Sequence, residues 1–254
     1  MKYLCPIDLS NCSTNSIKWI LAYSKNIPEV ELNLLYCIDD KGTGSQKIIE
    51  YKKEKAINLL NTMLREVRDK YPKVKIDYNI ALAHPKNFII ETANQIKPDY
   101  IIMGSTGLSN IKEITIGSTT EYVVDHCEYP VLCIPQNALF TNLNAIALGV
   151  DNKEIKHPKT IKNLKKFIAP YDSKLFLIQI ESSLKELELV FDQRIEEYID
   201  DLDIEAVKLE NNINVSHTIN EFASINDIKL ICFIHRKKNW FRNMFQTSTI
   251  KRGL

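Results

Sequence analysis

The chain has 254 residues, 33 Lys and Arg against 32 Asp and Glu for a formal net charge of +1, and 44% hydrophobic residues. Charges that nearly cancel leave no overall field to gather nucleic acid or a membrane surface, and no apolar run approaches the length of a membrane span. The N-terminus enters a strand-like run without a signal-peptide layout, so a soluble, cytoplasmic protein of one large or two ordinary domains is expected.

Lys2 to Ile7 reads as a strand, and Ser13 to Asn26 as a helix turning Ile17, Ile20 and Leu21 inward. Val30 to Ile38 is a second strand. A long helix follows from about Lys47 to Tyr71, with Ile49, Ala56, Leu60, Met63, Leu64 and Val67 at helical spacing, and Pro72 stops it. Val74, Ile76, Tyr78, Ile80 and Leu82 alternate strictly, the pattern of a strand with one face less buried than the other. Phe88 to Ile96 is the next helix, ended by Pro98, and Tyr100 to Met103 is short and apolar enough for a buried strand. Strands alternating with helices imply a parallel sheet with helices on both faces, because each right-handed crossover packs back onto the sheet.

The richest stretch comes next. Gly104 and Gly107 bracket Ser105 and Thr106, and a longer loop, with Lys112 and Glu113 in its middle, ends at Gly117-Ser118-Thr119-Thr120. Ser118 followed three residues later by Glu121 has the pattern of a capping box, and Tyr122, Val123 and Cys127 supply the apolar face of a helix. A last strand, Val131 to Ile134, follows Pro130. Strand, glycine-bearing loop and helix N-terminus form the geometry that binds phosphate, since free backbone N–H groups and the positive end of the helix dipole face the anion. The glycines would let the backbone approach a ligand with no Cβ in the way. The stretch is not a Walker loop, because no Gly-Lys-Ser/Thr follows and no lysine in it is placed to reach a phosphate. Nor is it the dinucleotide fingerprint, whose glycines lie closer together.

Gly104, two residues, Gly107, nine residues, then Gly117-Ser118 resembles the nucleotide-binding signature of the universal stress protein family in its ATP-binding branch. Pro6-Ile7-Asp8-Leu9-Ser10 resembles that family's Pro-Thr-Asp-Phe-Ser, Leu34 to Asp39 its second-strand ending, and Pro130-Val131-Leu132 its closing strand. The resemblance implies an adenine nucleotide as ligand: ATP, with or without Mg or Mn beside it, or AMP or ADP. It implies a site of Pro6, Asp8, Cys37, Met103, Gly104, Thr106, Gly107, Gly117, Ser118, Thr119 and Thr120. Asp8 would contact the adenosine, Pro6 and Cys37 would line the base pocket, and Gly107 and Gly117 would offer backbone N–H groups. Ser118 and Thr119 would give hydroxyls to phosphates. The ligand rule for open parallel sheets gathers Asp8, Cys37 and Gly104 to Gly107 at one edge. Ala83-His84-Pro85 departs from the family pattern, which has glycine first.

After Ile134 a polar stretch with Pro135, Gln136, Asn137, Thr141 and Asn142 reads as a linker, and the unit then repeats. Ala145 to Asp151 echoes Lys2 to Asp8, Leu175 to Glu181 echoes the second strand, Ile204 to Leu209 is a third, and Leu230 to Ile234 echoes Ile101 to Met103. His235-Arg236-Lys237-Lys238 stands where the first glycines would be, no glycine precedes Ser248, and no counterpart of Val131 to Ile134 follows. The resulting expectation is α/β: two tandem open parallel-sheet α/β sandwiches, Rossmann-like and of the adenine nucleotide alpha hydrolase-like type. The second is degenerate, incomplete at its C-terminal end and without nucleotide. The domains are set at 1–136 and 144–254 with 137–143 as linker. Tandem organisation is common in the resembled family, its halves forming a pseudo-dimer in one chain; self-association through sheet edges is the alternative.

The six cysteines include no CxxC pair, and the histidines at 84, 126, 157, 217 and 235 are scattered, so reduced structural thiols and no metal site are expected. No positioned general base, nucleophile elbow or carboxylate pair marks the loop, so no catalytic residue is assigned and at most weak ATPase activity is expected. Two other readings stand beside the nucleotide-binding one. One is a scaffold of the same fold with an empty first site. The other is a nucleic-acid or membrane-surface binder using Arg236, Lys237, Lys238, Arg242, Lys251 and Arg252 interleaved with Trp240, Phe241, Met244 and Phe245.

Overall fold

The structure is a computed structural model that describes residues 1–39, 46–105, 116–151, 159–181, 195, 197, 199, 201–210 and 215–234. The chain divides into two compact units, Met1–Thr141 and Asn142–Leu254.

The first unit is a five-stranded parallel sheet between two layers of helices. In chain order it comprises β1 (Lys2–Ile7), α1 (Asn11–Tyr23) with a 3-10 turn at Ser24–Asn26, β2 (Val30–Ile38), α2 (Gln46–Lys70), β3 (Val74–Leu82), α3 (Pro85–Ile96), β4 (Tyr100–Ser105), α4 (Ser118–His126) and β5 (Val131–Pro135). The strand order is β3-β2-β1-β4-β5, and every pairing is parallel. The central strand β1 has both neighbours and both faces covered, which is why Tyr3 to Ile7 are all buried and the run is apolar without alternation. The edge strand β3 alternates as its sequence does. Tyr78, on the side of the buried Val74 and Ile76, donates its hydroxyl to Asn61 Oδ1 of α2 at 3.1 Å, whereas Lys75, Asp77 and Asn79 on the other side are exposed.

α1 and α2 cover one face of the sheet, α3 and α4 the other. On the α3/α4 face Leu4, Leu35, Ile101 and Met103 pack with Ile89, Ala93 and Val123, and Cys37 and Phe88 sit at the margin. α1 starts at Asn11 with Ser10 as its cap, two residues before the expected start, and its last expected turn is the 3-10 turn. α3 begins on Pro85, whose fixed φ and missing N–H suit the first helical position. It ends at Lys97 in the left-handed conformation (φ 49°), just before Pro98.

The second unit has β6 (Ala145–Gly149), α5 (Lys159–Ile168), β7 (Lys174–Glu181), β8 (Asp203–Glu210), α6 (Val215–Ile225) and β9 (Leu230–Phe233). Among the described residues it has four parallel strands in the order β8-β7-β6-β9, the order of β3-β2-β1-β4 in the first sheet. The backbone bonds repeat too: Asp99 N–H donates to the Lys2 carbonyl and Lys229 N–H to the Ala145 carbonyl, at 2.8 and 2.9 Å. Both sheets are thus parallel α/β sheets, the second the smaller. The expected elements of this half are present as strands; α5 and α6 were not read from the sequence. The basic aromatic segment at 236–252 lies outside the described residues, as does Ser248.

Candidate functional site

In an open parallel sheet the ligand crevice lies outside the carboxyl ends of the strands, where the strand order reverses. In the first unit that place is between β1 and β4, since β1 leads outward to β2 and β4 leads outward to β5. Three segments end there: the turn after β1, the end of β4 and the start of α4.

The turn after β1 is a knot of small polar groups around Asp8. Leu9 takes the left-handed conformation (φ 62°), uncommon for a bulky residue, and this swings the chain so that Ser10 caps α1. Asp8 Oδ1 accepts from Ser13 Oγ at 2.7 Å and from the Ser10 N–H at 3.0 Å. Ser10 Oγ in turn accepts from the Ser13 N–H at 3.2 Å. Burial pushes the Asp8 carboxyl up, but the hydrogen bonds from Ser10 and Ser13 together outweigh it and hold the group below the ordinary carboxylate range. An ionised, oriented carboxylate thus stands exposed at the crevice. Tyr36, beside it on β2 through the Ile7–Tyr36 register, has its phenol pushed up by burial and by the Asp8 charge. The sequence reading assigned no role to Ser13; its signal is the serine pair Ser10 and Ser13 straight after an aspartate at a strand end.

The end of β4 explains Gly104 differently from the sequence. A Cβ there would lie 2.8 Å from Cys12 Sγ and 2.9 Å from the Cys12 backbone carbon, so the space belongs to the first turn of α1. Cys12 Sγ donates to the Ser105 carbonyl at 2.6 Å, closing α1 onto β4. The Gly104 carbonyl accepts from Thr120 Oγ1 at 3.1 Å, so this buried hydroxyl ties the head of α4 to β4.

The start of α4 corrects the expected capping box. The helix is capped by Gly117, whose carbonyl accepts from the Glu121 N–H at 2.9 Å, and Ser118 is the first helical residue. Among the described residues no side chain caps it, and the N–H groups of Ser118, Thr119 and Thr120 have no partner there, the donor set and positive helix end that suit an anion. The Ser118–Glu121 spacing met the pattern, but the chain enters the helix one residue earlier through an extended glycine (ψ 149°).

Of the other predicted residues, Pro6 is buried in β1 opposite Leu35 and Met103 is buried in the core under α3 and α4. Cys37 lies half-buried near the end of β2, its thiol pushed up to about 11 by burial and by Asp39. Thr106, Gly107, Lys112 and Glu113 lie outside the described residues. Among the described residues no group of three or more His, Cys, Asp or Glu is arranged to hold a metal ion, and no helix is long and apolar enough to cross a membrane.

The corresponding crevice of the second unit is built otherwise. Matching backbone bonds align Lys2 with Ala145 and Asp99 with Lys229, so Gly149 and Phe233 stand where Pro6 and Met103 stand in the first unit. A Cβ at Gly149 would be 2.8 Å from Phe233 Cδ1, so the ring fills that place. By the same alignment Ile234, rather than His235, takes the position of Gly104.

Comparison with known proteins matches this frame. A family model for the Universal stress protein family matches residues 1–135. A universal stress protein of Methanocaldococcus jannaschii is 30% identical over 154 residues, covering 52% of this chain and 93% of the relative. A second from the same organism is 29% identical over 140 residues, covering 52% of this chain and 81% of its own. The crystal structure of a universal stress protein from Archaeoglobus fulgidus DSM 4304 superposes with a TM-score of 0.73 at 21% identity, covering 97% of this chain and 89% of that one. That likeness carries the α/β fold across both units. With a carboxylate, an uncapped helix head and the strand order of the sheet all in the matched stretch, the chain belongs to the universal stress protein family.

Proposed function

We propose that the first unit binds an adenine nucleotide, ATP foremost, as a regulatory ligand in a stress response. The observation that carries this reading is the pairing, at one strand-order reversal, of the ionised Asp8 with the uncapped head of α4. One is a hydrogen-bond acceptor for a base or sugar; the other is a set of free donors for phosphate. Asp8, Pro6 and Cys37 would hold the adenosine end, and Gly117, Ser118 and Thr119 the phosphates, with Thr106 and Gly107 of the intervening loop joining them. Gly104, Met103 and Thr120 support the site from behind through packing and the Thr120 hydroxyl.

No general base belongs to this reading. The carboxylate at the crevice is held by two serines, and hydrolysis, where it occurs, is slow and incidental. The second unit is read as a degenerate universal stress domain without nucleotide, because the Phe233 ring stands at the place corresponding to Met103 and branched Ile234 at that of Gly104. Domain limits of 1–136 and 144–254, and a cytoplasmic location, belong to the same proposal.

Mass spectrometry of ligand released from the purified protein, with calorimetric titration of ATP and AMP, tests it. Binding of ATP at one site per chain, lost in Gly117→Phe, is the expected result. Two sites per chain overturn the reading of the second unit. Neither released nucleotide nor heat of binding overturns the reading of the first.

A further inference from the structure

The phosphate end of the site has backbone donors and hydroxyls but no lysine or arginine among the described residues of β4 and α4. A cation lies on the neighbouring helix. Lys86, the second residue of α3, holds its ammonium 5.4 Å from the centroid of the Tyr122 ring. Tyr122 belongs to α4, four residues after Ser118. Helical side chains lean toward the N-terminus, so a residue at this position covers the turn before it, which here is the first turn of α4.

The ring is a fixed seat. Its hydroxyl donates to Asn87 Oδ1 at 2.9 Å, and His126 stacks on it with centroids 4.1 Å apart and planes 17° from parallel. The His126 ring nitrogen Nδ1 lies 2.8 Å from the Tyr122 carbonyl oxygen, which keeps the imidazole in place. Lys86 makes no ion pair among the described residues, and the first turn of α3 contains no acidic residue. Among the described residues its partner is a neutral ring. The head of α3 also lacks a side-chain cap, its His84 serving only through the backbone. Glu121, in the first turn of α4, is the one nearby carboxylate on that element's opening turn, and it makes no ion pair with Lys86.

We propose that Lys86 is the cation of the phosphate end, and that it sets the preference of the site for a polyphosphate over a monophosphate or a bare nucleoside. This rests on the nucleotide reading of the first unit and deepens it. The ammonium waits against Tyr122 and turns to the phosphate tail when a nucleotide is present. A flexible four-carbon stem makes that movement small.

The test is calorimetric titration of the full chain with ATP, AMP and adenosine, comparing wild type with Lys86→Met and Lys86→Arg. Methionine keeps the unbranched stem without the charge, so the packing against Tyr122 survives. ATP affinity is expected to fall about tenfold in Lys86→Met, the worth of one charge-assisted hydrogen bond, with AMP falling less. Adenosine affinity stays the same, Lys86→Arg restores most of the ATP affinity, and the wild-type preference for ATP weakens as salt is raised. Unchanged ATP binding in Lys86→Met overturns the assignment while leaving the nucleotide reading intact. An equal loss for all three ligands also overturns it, since that marks a structural role through Tyr122. If the wild type takes up none of the three, the nucleotide reading fails and the role of Lys86 fails with it.

Discussion

Gly104→Ala separates two reasons for a glycine at the end of β4. If the glycine is there so that a ligand can approach, the ligand-free protein will not notice the added methyl. The structure gives it another neighbour: the new Cβ would lie 2.9 Å from the Cys12 backbone carbon, where ordinary contact begins at 3.4 Å. The first turn of α1 must then retreat by about 0.5 Å, and the 2.6 Å bond from Cys12 Sγ to the Ser105 carbonyl must stretch with it. Overpacking of this kind costs about 1–3 kcal/mol. A loss of about 2 kcal/mol corresponds to a fall of about 4–8 °C in Tm for a chain of this size. Melting of the ligand-free protein, followed by circular dichroism, reads it. Cys12→Ala in the same chain removes the sulfur but leaves the backbone carbon, so the double variant recovers only part of the loss. An unchanged ligand-free Tm in Gly104→Ala would refute the packing argument and return Gly104 to the ligand.

Three further changes probe the frame of the site. Thr120→Val keeps the shape but removes the donor to the Gly104 carbonyl, and should cost about 1 kcal/mol in thermal melts where Thr120→Ser costs less. Asp8→Asn should be destabilising at neutral pH by an amount that stays constant down to the ordinary carboxylate range. Because the folded carboxyl lies below that range, its contribution is present above the unfolded value and lost as pH falls through the folded one, so the gap to wild type should close in acid melts; a gap that widens there contradicts the serine bonds. Gly149→Ala in the second unit meets a side-chain ring at 2.8 Å instead of backbone, and a ring can turn, so its Tm loss should be well under that of Gly104→Ala.

Much of the fold was legible because its strands are apolar runs bounded by breakers. β1 and β2 end where the apolar patterns end, and the alternation of β3 reports a face that no helix covers. Helix starts were harder, because a cap lies outside the apolar periodicity that reveals the helix. α1 is entered at Ser10, seven residues before Ile17, and α4 at a glycine with no side chain to advertise it. β4 runs two residues past Met103 because Gly104 and Ser105 pair with Ile134 and Pro135, a partnership that local sequence does not carry. α5 escaped notice because its four lysines equal in number its apolar residues Ile161, Leu164, Phe167 and Ile168 and mask the short apolar stripe. In the site, the gathering of Asp8, Cys37 and Gly104 at one sheet edge follows from topology and was open to a sequence argument. That Cys12 fills the space at Gly104, and that a lysine from α3 stands over α4, depends on how helices pack, and no spacing along the chain encodes it.

The two units share a sheet and differ at the ends of its strands. What holds β6, β7 and β9 together is buried apolar mass, Ile146, Ala147, Leu148, Leu175 and Leu177 among it, and none of these needs a special backbone. The crevice of the first unit needs more: a glycine where α1 meets β4, a threonine tied to its carbonyl and a bare helix head. Such features contribute little to the sheet's burial, so Ile234 in place of Gly104, with Gly149 and Phe233 at the places of Pro6 and Met103, leaves strand order and register unchanged. α1 adds a reason for the first unit to keep them. Its first turn holds Asp8 and packs on Gly104, while Asn15 donates to the carbonyls of Pro135 and Ala138 at 3.0 and 2.8 Å. Further along, Trp19 and Tyr23 meet the Phe140 ring edge-on at 5.0 and 5.7 Å. The helix that shapes the crevice therefore also fixes the segment leaving β5. Shifting its first turn by a few tenths of an ångström, as Gly104→Ala does, disturbs both ends of that one rigid body.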